Sequence, residues 1–385
     1  MQNFEYQNPV KILFGKGQIA AIGKEIPAEA RILLTYGGGS IKKNGVYDQV
    51  RTALAGRKVE EFGGIEPNPR YETLMRAVEK VRAGNIDFLL AVGGGSALDG
   101  TKFIAVAAPF AGEPWDIVSK GARATSAVPL GAVLTLPATG SEMNSFSVVT
   151  KWATREKLAF GNPLLYPRFS VLDPETTFSL PPRQVSNGIV DAFVHTLEQY
   201  MTYPVNSPLQ DRMAEAILVT LIEEGPKTLA QPRDYEARAN FMWAATMALN
   251  GLIAVGVPQD WATHMIGHEI TALHGLDHAQ TLAIVSPSML TVKSDTKREK
   301  LLQFAERVWG IREGTAEARI AAGIERMRRF FEQVGVPTRL SAYGVGPETA
   351  AVVAGRLQKR GWTALGERKD ITPAVVERIL TLAAK

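Results

Sequence analysis

The chain has 385 residues, of which 45% are hydrophobic and 21% are charged, and this length and composition suit a globular protein of two domains. Its 43 basic and 39 acidic residues leave a net charge of +4, far from the clustered basic surface that nucleic-acid binding requires. The chain has no cysteine, so disulfide bonds and thiolate metal ligands are excluded.

The N-terminal segment, MQNFEYQNPVKILFGKG, lacks the basic start and apolar stretch of a secretory signal. No apolar run approaches the roughly eighteen residues that a membrane-spanning helix needs. We therefore expect a cytoplasmic protein with neither a membrane nor a nucleic acid among its partners.

The first half of the chain alternates between strand and helix patterns. From residue 31 to about 172, the β-rich runs RILLTY, FLLAV, AVLTL and FSVLD alternate with helical segments such as YETLMRAVEKVRAG. Such alternation predicts a parallel sheet covered by helices on both faces. Residues 1–182 are therefore expected to form an α/β, Rossmann-like dinucleotide-binding domain.

The second half contains no strand pattern. Two prolines in LPPRQ, residues 180–184, mark a hinge. Beyond them, segments such as KREKLLQFAERVWGI and ARIAAGIERMRRFFEQVG place apolar residues at three- and four-residue steps, which is typical of helices. Residues 183–385 are therefore expected to form an all-helical domain.

Three glycine-rich or hydroxyl-rich loops follow predicted strands: LLTYGGGS, LLAVGGGS and TLPATGSEMNS. In the second, three glycines including Gly94 and Gly95 allow close approach of a ligand, and Ser96 is predicted to cap a helix that runs through Ala105. Because α/β sheets bind ligands at the carboxyl ends of their strands, the three loops together indicate one phosphate-binding site. The alternative is a set of tight strand-to-helix turns, since neither glycine run fits the dinucleotide or P-loop fingerprint.

The first loop indicates the kind of nucleotide. After RILLTY the chain has no acidic residue until Asp48, and it offers glycines, Ser40, Lys42 and Lys43 instead. A 2′-phosphate would be stabilised by such groups, whereas a bare ribose hydroxyl usually pairs with a carboxylate. This favours NADP over NAD, although the lysines could also belong to a solvated helix start.

Four of the five histidines lie in DWATHMIGHEITALHGLDH, residues 260–278. His264 and His268 are four residues apart and share a helix face. Gly275 is expected to end that helix, and Asp277 to cap another that begins near His278. Two helices meeting at this bend can aim two imidazoles at one point.

The fifth histidine, His195, lies one helical turn after Asp191. Together with His264 and His278 these residues form a candidate metal site of one carboxylate and three imidazoles, with the choice among the four clustered histidines left open. Glu198 is the rival for the acidic ligand. The alternative is that these are ordinary hydrogen-bonded histidines and a surface Asp–His contact.

A cation with one carboxylate ligand keeps a net positive charge and can polarise a carbonyl group for hydride transfer from a nicotinamide. His268 shares a helix face with His264, a proposed ligand. It is therefore a candidate for delivering a proton, or else it orients a ligand. His274 would orient a ligand or line the substrate pocket.

Four segments carry a resemblance to a known family: AVGGGSALDGTKFIA, TLPATGSEMNS, VDAFVHTLEQY and HMIGHEITALHGLDHAQTLAI. Together they resemble the iron-containing alcohol dehydrogenase family, in its branch of NADPH-dependent aldehyde reductases, also called butanol dehydrogenases. The resemblance runs over essentially the whole chain. It implies a dehydroquinate synthase-like fold, a homodimer, a small aldehyde or alcohol as substrate, and Fe²⁺ or Zn²⁺ in a cleft between the domains.

Carried over by position, the resemblance implies metal ligands at Asp191, His195, His264 and His278, with His268 near the nicotinamide and the substrate. It also implies an NADP(H) site. The implied cofactor contacts are Gly38, Gly39 and Ser40 at the 2′-phosphate, Gly94, Gly95, Ser96 and Asp99 at the pyrophosphate and nicotinamide, Thr135, Thr139 and Asn144 in the third loop, and Lys157 at the nicotinamide ribose.

Several functions are alternatives to a metal-dependent NADPH aldehyde reductase. Within the same fold they are an NAD-linked alcohol or polyol dehydrogenase and the lyase dehydroquinate synthase. From other classes they are a metallohydrolase, which would leave three glycine-rich loops unexplained, and a metal-binding or scaffold protein, which would not need Asp99 and Lys157.

A charge placed at Ser40 tests the expected cofactor. In Ser40→Asp, repulsion between the carboxylate and the 2′-phosphate should raise the apparent KM for NADPH by on the order of tenfold. The apparent KM for NADH should change little, since NADH has no phosphate there. Steady-state kinetics with both cofactors measures this, and an equal rise for both would place the 2′-phosphate elsewhere.

Overall fold

The computed structural model describes residues 1–385, which divide into two compact units. Gln7–Pro181 and Pro232–Thr246 form an α/β unit, and Met1–Tyr6, Pro182–Gln231 and Met247–Lys385 form a helical unit. Relative to the predicted boundary between residues 182 and 183, Met1–Tyr6 and Pro182 belong to the helical unit and Pro232–Thr246 belongs to the α/β unit. None of the helices is both long and apolar enough to cross a membrane.

The secondary structure comprises eight strands and fourteen α-helices. The strands are β1 (Lys11–Phe14), β2 (Arg31–Tyr36), β3 (Lys58–Phe62), β4 (Phe88–Gly94), β5 (Leu130–Leu136), β6 (Phe146–Lys151), β7 (Glu156–Gly161) and β8 (Phe169–Leu172). The helices are α1 (Ile22–Glu25), α2 (Val46–Ala53), α3 (Tyr71–Gly84), α4 (Gly95–Ala107), α5 (Trp115–Ser119), α6 (Pro182–Tyr200), α7 (Pro208–Ala230), α8 (Tyr235–Ala248), α9 (Ala262–His274), α10 (His278–Val292), α11 (Arg298–Arg307), α12 (Ala316–Gln333), α13 (Thr349–Lys359) and α14 (Pro373–Ala384).

A six-stranded parallel sheet organises the α/β unit, in the order β1-β8-β5-β4-β2-β3. The predicted parallel sheet is confirmed. Strands β4 and β5 are buried along nearly their whole length, as expected when helices cover both faces. Because β2, β4 and β5 are neighbours in the sheet, the three loops that follow them lie side by side.

Some elements of the α/β unit were not predicted, namely β1, β3 and the antiparallel hairpin of β6 and β7. The predicted cap at Ser96 is wrong, because α4 already begins at Gly95. The Ser96 hydroxyl instead accepts a hydrogen bond from the backbone N–H of Asn68 at 3.3 Å.

The sheet packs through large side chains opposite small ones. Phe169 in β8 is fully buried and stacks on Phe88 of β4, with ring centroids 6.3 Å apart. On the neighbouring strand, a Cβ at Gly131 would lie 2.5 Å from the ring of Phe169. The glycine therefore leaves the room that the aromatic ring fills.

The helical unit confirms the predicted helix ends around the histidines. Helix α9 ends at Gly275, whose φ of 70° lies in the left-handed region that favours glycine. Helix α10 begins after Asp277, which forms a capping box with Gln280. The core of this unit includes Phe193 of α6, whose ring packs on those of Phe330 and Phe331 in α12.

Removing the Phe169 ring should leave a cavity in the sheet core. Phe169→Ala is expected to lower the free energy of unfolding by about 3–5 kcal/mol, measured by urea denaturation. As a control, Leu164→Ala removes a side chain of the same unit that is 41% exposed, and it should change stability by no more than about 0.5 kcal/mol. Equal effects would show that the ring is not part of a tightly packed core.

Candidate metal and cofactor sites

The helical unit brings one carboxylate and three imidazoles together. Asp191 and His195 lie one turn apart on α6, His264 lies on the first turn of α9, and His278 is the first residue of α10. Their candidate ligand atoms all lie within 4.8 Å of one another. The first three residues are buried, and His278 is partly exposed. The residues that the sequence singled out thus form one cluster.

The four side chains of the cluster lie within a few ångströms of one another in an arrangement that suits a metal ion. Asp191 Oδ1 lies 3.5 Å from His195 Nδ1 and 3.7 Å from His278 Nε2. The ring of His264 lies close to both other imidazoles, with centroids 4.6 Å from His195 and 5.0 Å from His278. Imidazole nitrogens and one carboxylate oxygen suit zinc or ferrous iron, so the donor set fits a divalent metal ion.

The first turns of α6 fix the start of α10. Arg183 donates to Asp277 Oδ2 through Nε at 2.8 Å and Nη2 at 2.6 Å, and Asn187 Nδ2 donates to the same oxygen at 2.7 Å. Since Asp277 caps α10, these contacts place His278, the next residue, relative to the helix that carries Asp191.

Glu198, the rival acidic ligand, is not in the cluster. Its Oε2 pairs with Nδ1 of His264, and its Oε1 accepts a hydrogen bond from the backbone N–H of Thr263 at 2.7 Å. Burial, and then the charge of Asp260, raise the pKa of Glu198 well above that of an exposed glutamate. The side chain of Glu198 thus contacts the Nδ1 nitrogen of a candidate ligand, His264, and is not itself a member of the cluster.

The two remaining histidines differ in position. His268 is buried on α9, with its ring centroid 5.2 Å from that of His278 and 6.3 Å from that of His264. His274, at the end of α9, has Nε2 3.1 Å from the hydroxyl of Thr349, and burial lowers its pKa. His268 therefore borders the cluster, whereas the contact of His274 is with α13.

In the α/β unit, the first glycine loop, after β2, is open. A Cβ at Gly38 or Gly39 would meet no protein atom within 4 Å, so a ligand can approach this backbone closely. Gly39 has a φ of 88°, and Ser40 begins a short 3-10 turn. These features fit a phosphate held by backbone amides and a hydroxyl.

A carboxylate does lie beside this loop, although the sequence between Tyr36 and Asp48 contains none. Glu61, near the end of the adjacent strand β3, forms a 3.1 Å ion pair with Lys42. The Lys42 ammonium also lies 5.0 Å from the ring centroid of Tyr36 and 4.7 Å from that of Tyr47. Hydrogen bonding to Tyr36 and Glu61 raises the pKa of Lys42, so its charge is already partnered within the protein.

The second and third loops pack closely together. A Cβ at Gly95 would lie 2.5 Å from Thr139 Oγ1, and one at Gly94 would lie 2.9 Å from Leu136 Cβ. Glycine is therefore required at both positions for the loops to meet. Within the third loop, Asn144 Nδ2 donates to Thr139 O at 3.3 Å.

Asp99, on α4, uses its carboxylate to hold the third loop and the strand after it. Its Oδ1 accepts from the Ser141 hydroxyl at 2.7 Å, and its Oδ2 from the backbone N–H of Val148 at 3.0 Å. Burial raises its pKa. Thr135, at the end of β5, and Lys157, on β7, are also buried.

Lys102 is a buried residue that sequence reasoning missed. Its ammonium donates to Asn144 O at 2.8 Å, Asn144 Oδ1 at 3.0 Å and Phe146 O at 2.9 Å. Burial lowers its pKa to about 8. The one available signal in the sequence was a lysine among the apolar residues of GTKFIAVAA. Through the hydrogen bonds of Lys102, helix α4 supports the third loop.

Family comparisons agree with both halves of this description. Residues 9–174 match the model described as iron-containing alcohol dehydrogenase, and residues 185–381 match that of the C-terminal part of the Fe-containing alcohol dehydrogenase family. The chain therefore belongs to the iron-containing alcohol dehydrogenase family, as the sequence motifs had suggested.

Individual relatives cover the whole chain. It is 59% identical over 386 residues to the NADPH-dependent aldehyde reductase YqhD of Escherichia coli K12, with 100% of both proteins covered. It is 43% identical to the probable NADH-dependent butanol dehydrogenase 1 of Bacillus subtilis, with 99% of both covered. A crystal structure of NADH-dependent butanol dehydrogenase A from Thermotoga maritima is 38% identical, with a TM-score of 0.96 and 100% and 99% coverage.

A crystal structure of E. coli YqhD matches this chain with a TM-score of 0.98 at 59% identity, covering 99% of each chain. The fold is therefore that of the iron-containing alcohol dehydrogenases, with an α/β unit followed by a helical unit.

His278→Ala tests directly whether the Asp–His cluster binds a metal ion. The variant should stay folded because His278 is partly exposed, yet its affinity for a divalent metal should fall by more than the roughly 10–100-fold that outer partners alone contribute. Metal content after gel filtration measures this. His274→Ala, a histidine outside the cluster, is the control, and wild-type metal content in His278→Ala would remove that residue from the site.

Proposed function

We propose that this protein is a metal-dependent, NADP(H)-linked oxidoreductase that reduces small aldehydes to primary alcohols, and that also runs in the direction of alcohol oxidation. The observation that carries the proposal is the largely buried cluster of one aspartate and three histidines in a member of the iron-containing alcohol dehydrogenase family. The relative named NADPH-dependent aldehyde reductase, at 59% identity, supports the substrate class and the cofactor.

In this proposal the helical domain, residues 183–385, holds the metal. Asp191, His195, His264 and His278 bind one divalent ion, Fe²⁺ or Zn²⁺. The carboxylate neutralises part of the charge of the ion, and the three neutral imidazoles leave it a net positive charge.

The α/β domain, residues 1–182, binds NADP(H) in the proposal. Gly38, Gly39 and Ser40 receive the 2′-phosphate, and the amides at the start of α4 receive the pyrophosphate. The remaining contacts are assigned to Gly94, Gly95, Ser96, Asp99, Thr135, Thr139, Asn144 and Lys157. Asp99 and Lys102 keep the third loop in the shape that the cofactor needs.

When bound, the cation polarises the substrate carbonyl and NADPH supplies the hydride. The protein must then supply the proton that the product alcohol gains at oxygen. We assign this step to His268, whose imidazole lies on α9 at the border of the Asp–His cluster and can act as a proton donor. We further propose that the protein acts in the cytoplasm as a homodimer, in keeping with the family resemblance.

A second candidate, an NADH-linked alcohol dehydrogenase, has one observation in its favour. Glu61 lies beside the first loop and offers a carboxylate that could accept from a ribose hydroxyl, while Lys42 is already paired with it. Relatives named NADH-dependent butanol dehydrogenase support the same possibility.

One assay separates these functions. Purified protein given butanal should oxidise NADPH, lose the activity on treatment with a chelator, and regain it with Zn²⁺ or Fe²⁺. A higher kcat/KM for NADPH than for NADH supports the proposal, and the reverse order supports the second candidate. No turnover of either cofactor with metal restored would overturn both.

A further inference from the structure

A group of buried charged residues extends behind the metal cluster within the helical unit. Its members are Glu198, Asp260, Lys297 and Glu367, and we call them the charge chain. Their side chains are almost fully buried, at 6% exposure or less. The sequence did not indicate contacts among these residues, because they come from four separate segments of the chain.

The first link of the charge chain is the contact between Glu198 and His264. The carboxylate of Glu198 pairs with Nδ1 of His264. When Glu198 is ionised it can only accept, so that Nδ1 then carries the proton and Nε2 is the nitrogen that this imidazole offers to a metal. Glu198 also accepts from the N–H of Thr263 at 2.7 Å, which fixes the carboxylate against the first turn of α9.

The second link joins Asp260 to the same turn. Asp260 Oδ1 accepts from the N–H of Ala262, the first residue of α9, at 2.9 Å. Its own N–H donates to the carbonyl of Glu198 at 3.1 Å. Glu198 and Asp260 thus hold the start of the helix that carries His264 from two sides.

The third link is Lys297, which balances the acidic members. Its ammonium lies 2.7 Å from Asp260 Oδ2 and 2.9 Å from Glu367 Oε1, and it donates to the carbonyl of Met201 at 2.7 Å. Burial alone would lower the pKa of Lys297, but the charges of Asp260 and Glu367 outweigh it and raise the pKa. The ammonium therefore stays charged, and its ion pair with Asp260 holds that side chain against the first turn of α9.

We propose that the charge chain of Glu198, Asp260, Lys297 and Glu367 positions His264 for metal binding, an inference that rests on the metal site proposed above. Glu198 sets the tautomer and orientation of the imidazole. Asp260 sets the position of the helix turn, and Lys297 with Glu367 keeps Asp260 in place. These are positioning residues, since each acts on the metal through His264.

The decisive variant is Glu198→Gln, which changes one carboxylate oxygen to an amide. Its oxygen can still accept from Thr263, but its NH₂ then faces Nδ1 of His264. That nitrogen must become the acceptor, and the proton moves to Nε2, which must lose this proton before it can bind a metal. We expect Co²⁺ affinity to fall by about 10–100-fold.

The measurement uses the full-length protein stripped of metal and titrated with Co²⁺ against a chelating indicator, without cofactor or aldehyde. The visible spectrum of bound Co²⁺ reports the ligand geometry, which a merely structural role would not alter. Thermal unfolding in EDTA checks that each variant is folded.

Lys297→Met extends the test to the far end of the charge chain, and it too should weaken Co²⁺ binding. Because this variant leaves two buried carboxylates without their cation, Lys297→Met/Glu367→Gln is made beside it to reduce that burden. The matched control is Lys293→Met, four residues earlier, whose ammonium pairs with Asp370 at 2.8 Å outside the charge chain. The control should bind Co²⁺ like the wild type.

Folded Glu198→Gln protein with wild-type Co²⁺ affinity and spectrum would overturn the proposal. If the wild type itself binds no Co²⁺, the metal site falls and this proposal falls with it. A wild type that binds Co²⁺ but reduces no aldehyde would instead count against the proposed function alone.

Discussion

A carboxylate and two imidazoles are buried with a third, partly exposed imidazole, and their ligand atoms all lie within 4.8 Å of one another. These polar groups lose hydration that a bound cation can replace. The helical unit is arranged around this requirement. Helix α6 supplies two members of the cluster and also the groups that fix the other two. Arg183 and Asn187 near its start bind the cap of α10, and Glu198 near its end binds the imidazole on α9. Helix α6 therefore fixes the positions of the ligands on α9 and α10 relative to its own.

The α/β unit solves a related problem with backbone instead of side chains. Its three loops meet because β2, β4 and β5 are adjacent and because Gly95 lets the second loop touch the third. Asp99 and Lys102 lie behind the loops and form hydrogen bonds with the third loop. In the second and third loops the charges of Asp99 and Lys102 are thus used for hydrogen bonds within the unit, whereas the Lys42–Glu61 pair beside the first loop is partly exposed.

Several features that depend on local spacing were predicted from the sequence. The i, i+4 pair of Asp191 and His195, the end of α9 at Gly275 and the strand runs all follow from periodicity or from the preference of one residue type. The contacts of Glu61 with Lys42 and of Asp260 with Lys297 could not be predicted in this way, because they join segments far apart in the chain. The cap predicted at Ser96 was wrong by two residues, since α4 begins at Gly95 and its N-cap is Gly94.

The membership of Pro232–Thr246 in the α/β unit has a consequence for how the protein is made. This segment supplies Thr246, whose hydroxyl donates to the buried Glu142, and Met242, which packs on Leu134 and Leu172. Synthesis runs from the N-terminus, so the α/β unit lacks these partners until residue 246 has left the ribosome. While α6 and α7 are being translated, Leu134 and Leu172 therefore lack their contact with Met242. A nascent chain stalled at residue 181 would likewise hold Glu142 without its hydroxyl donor.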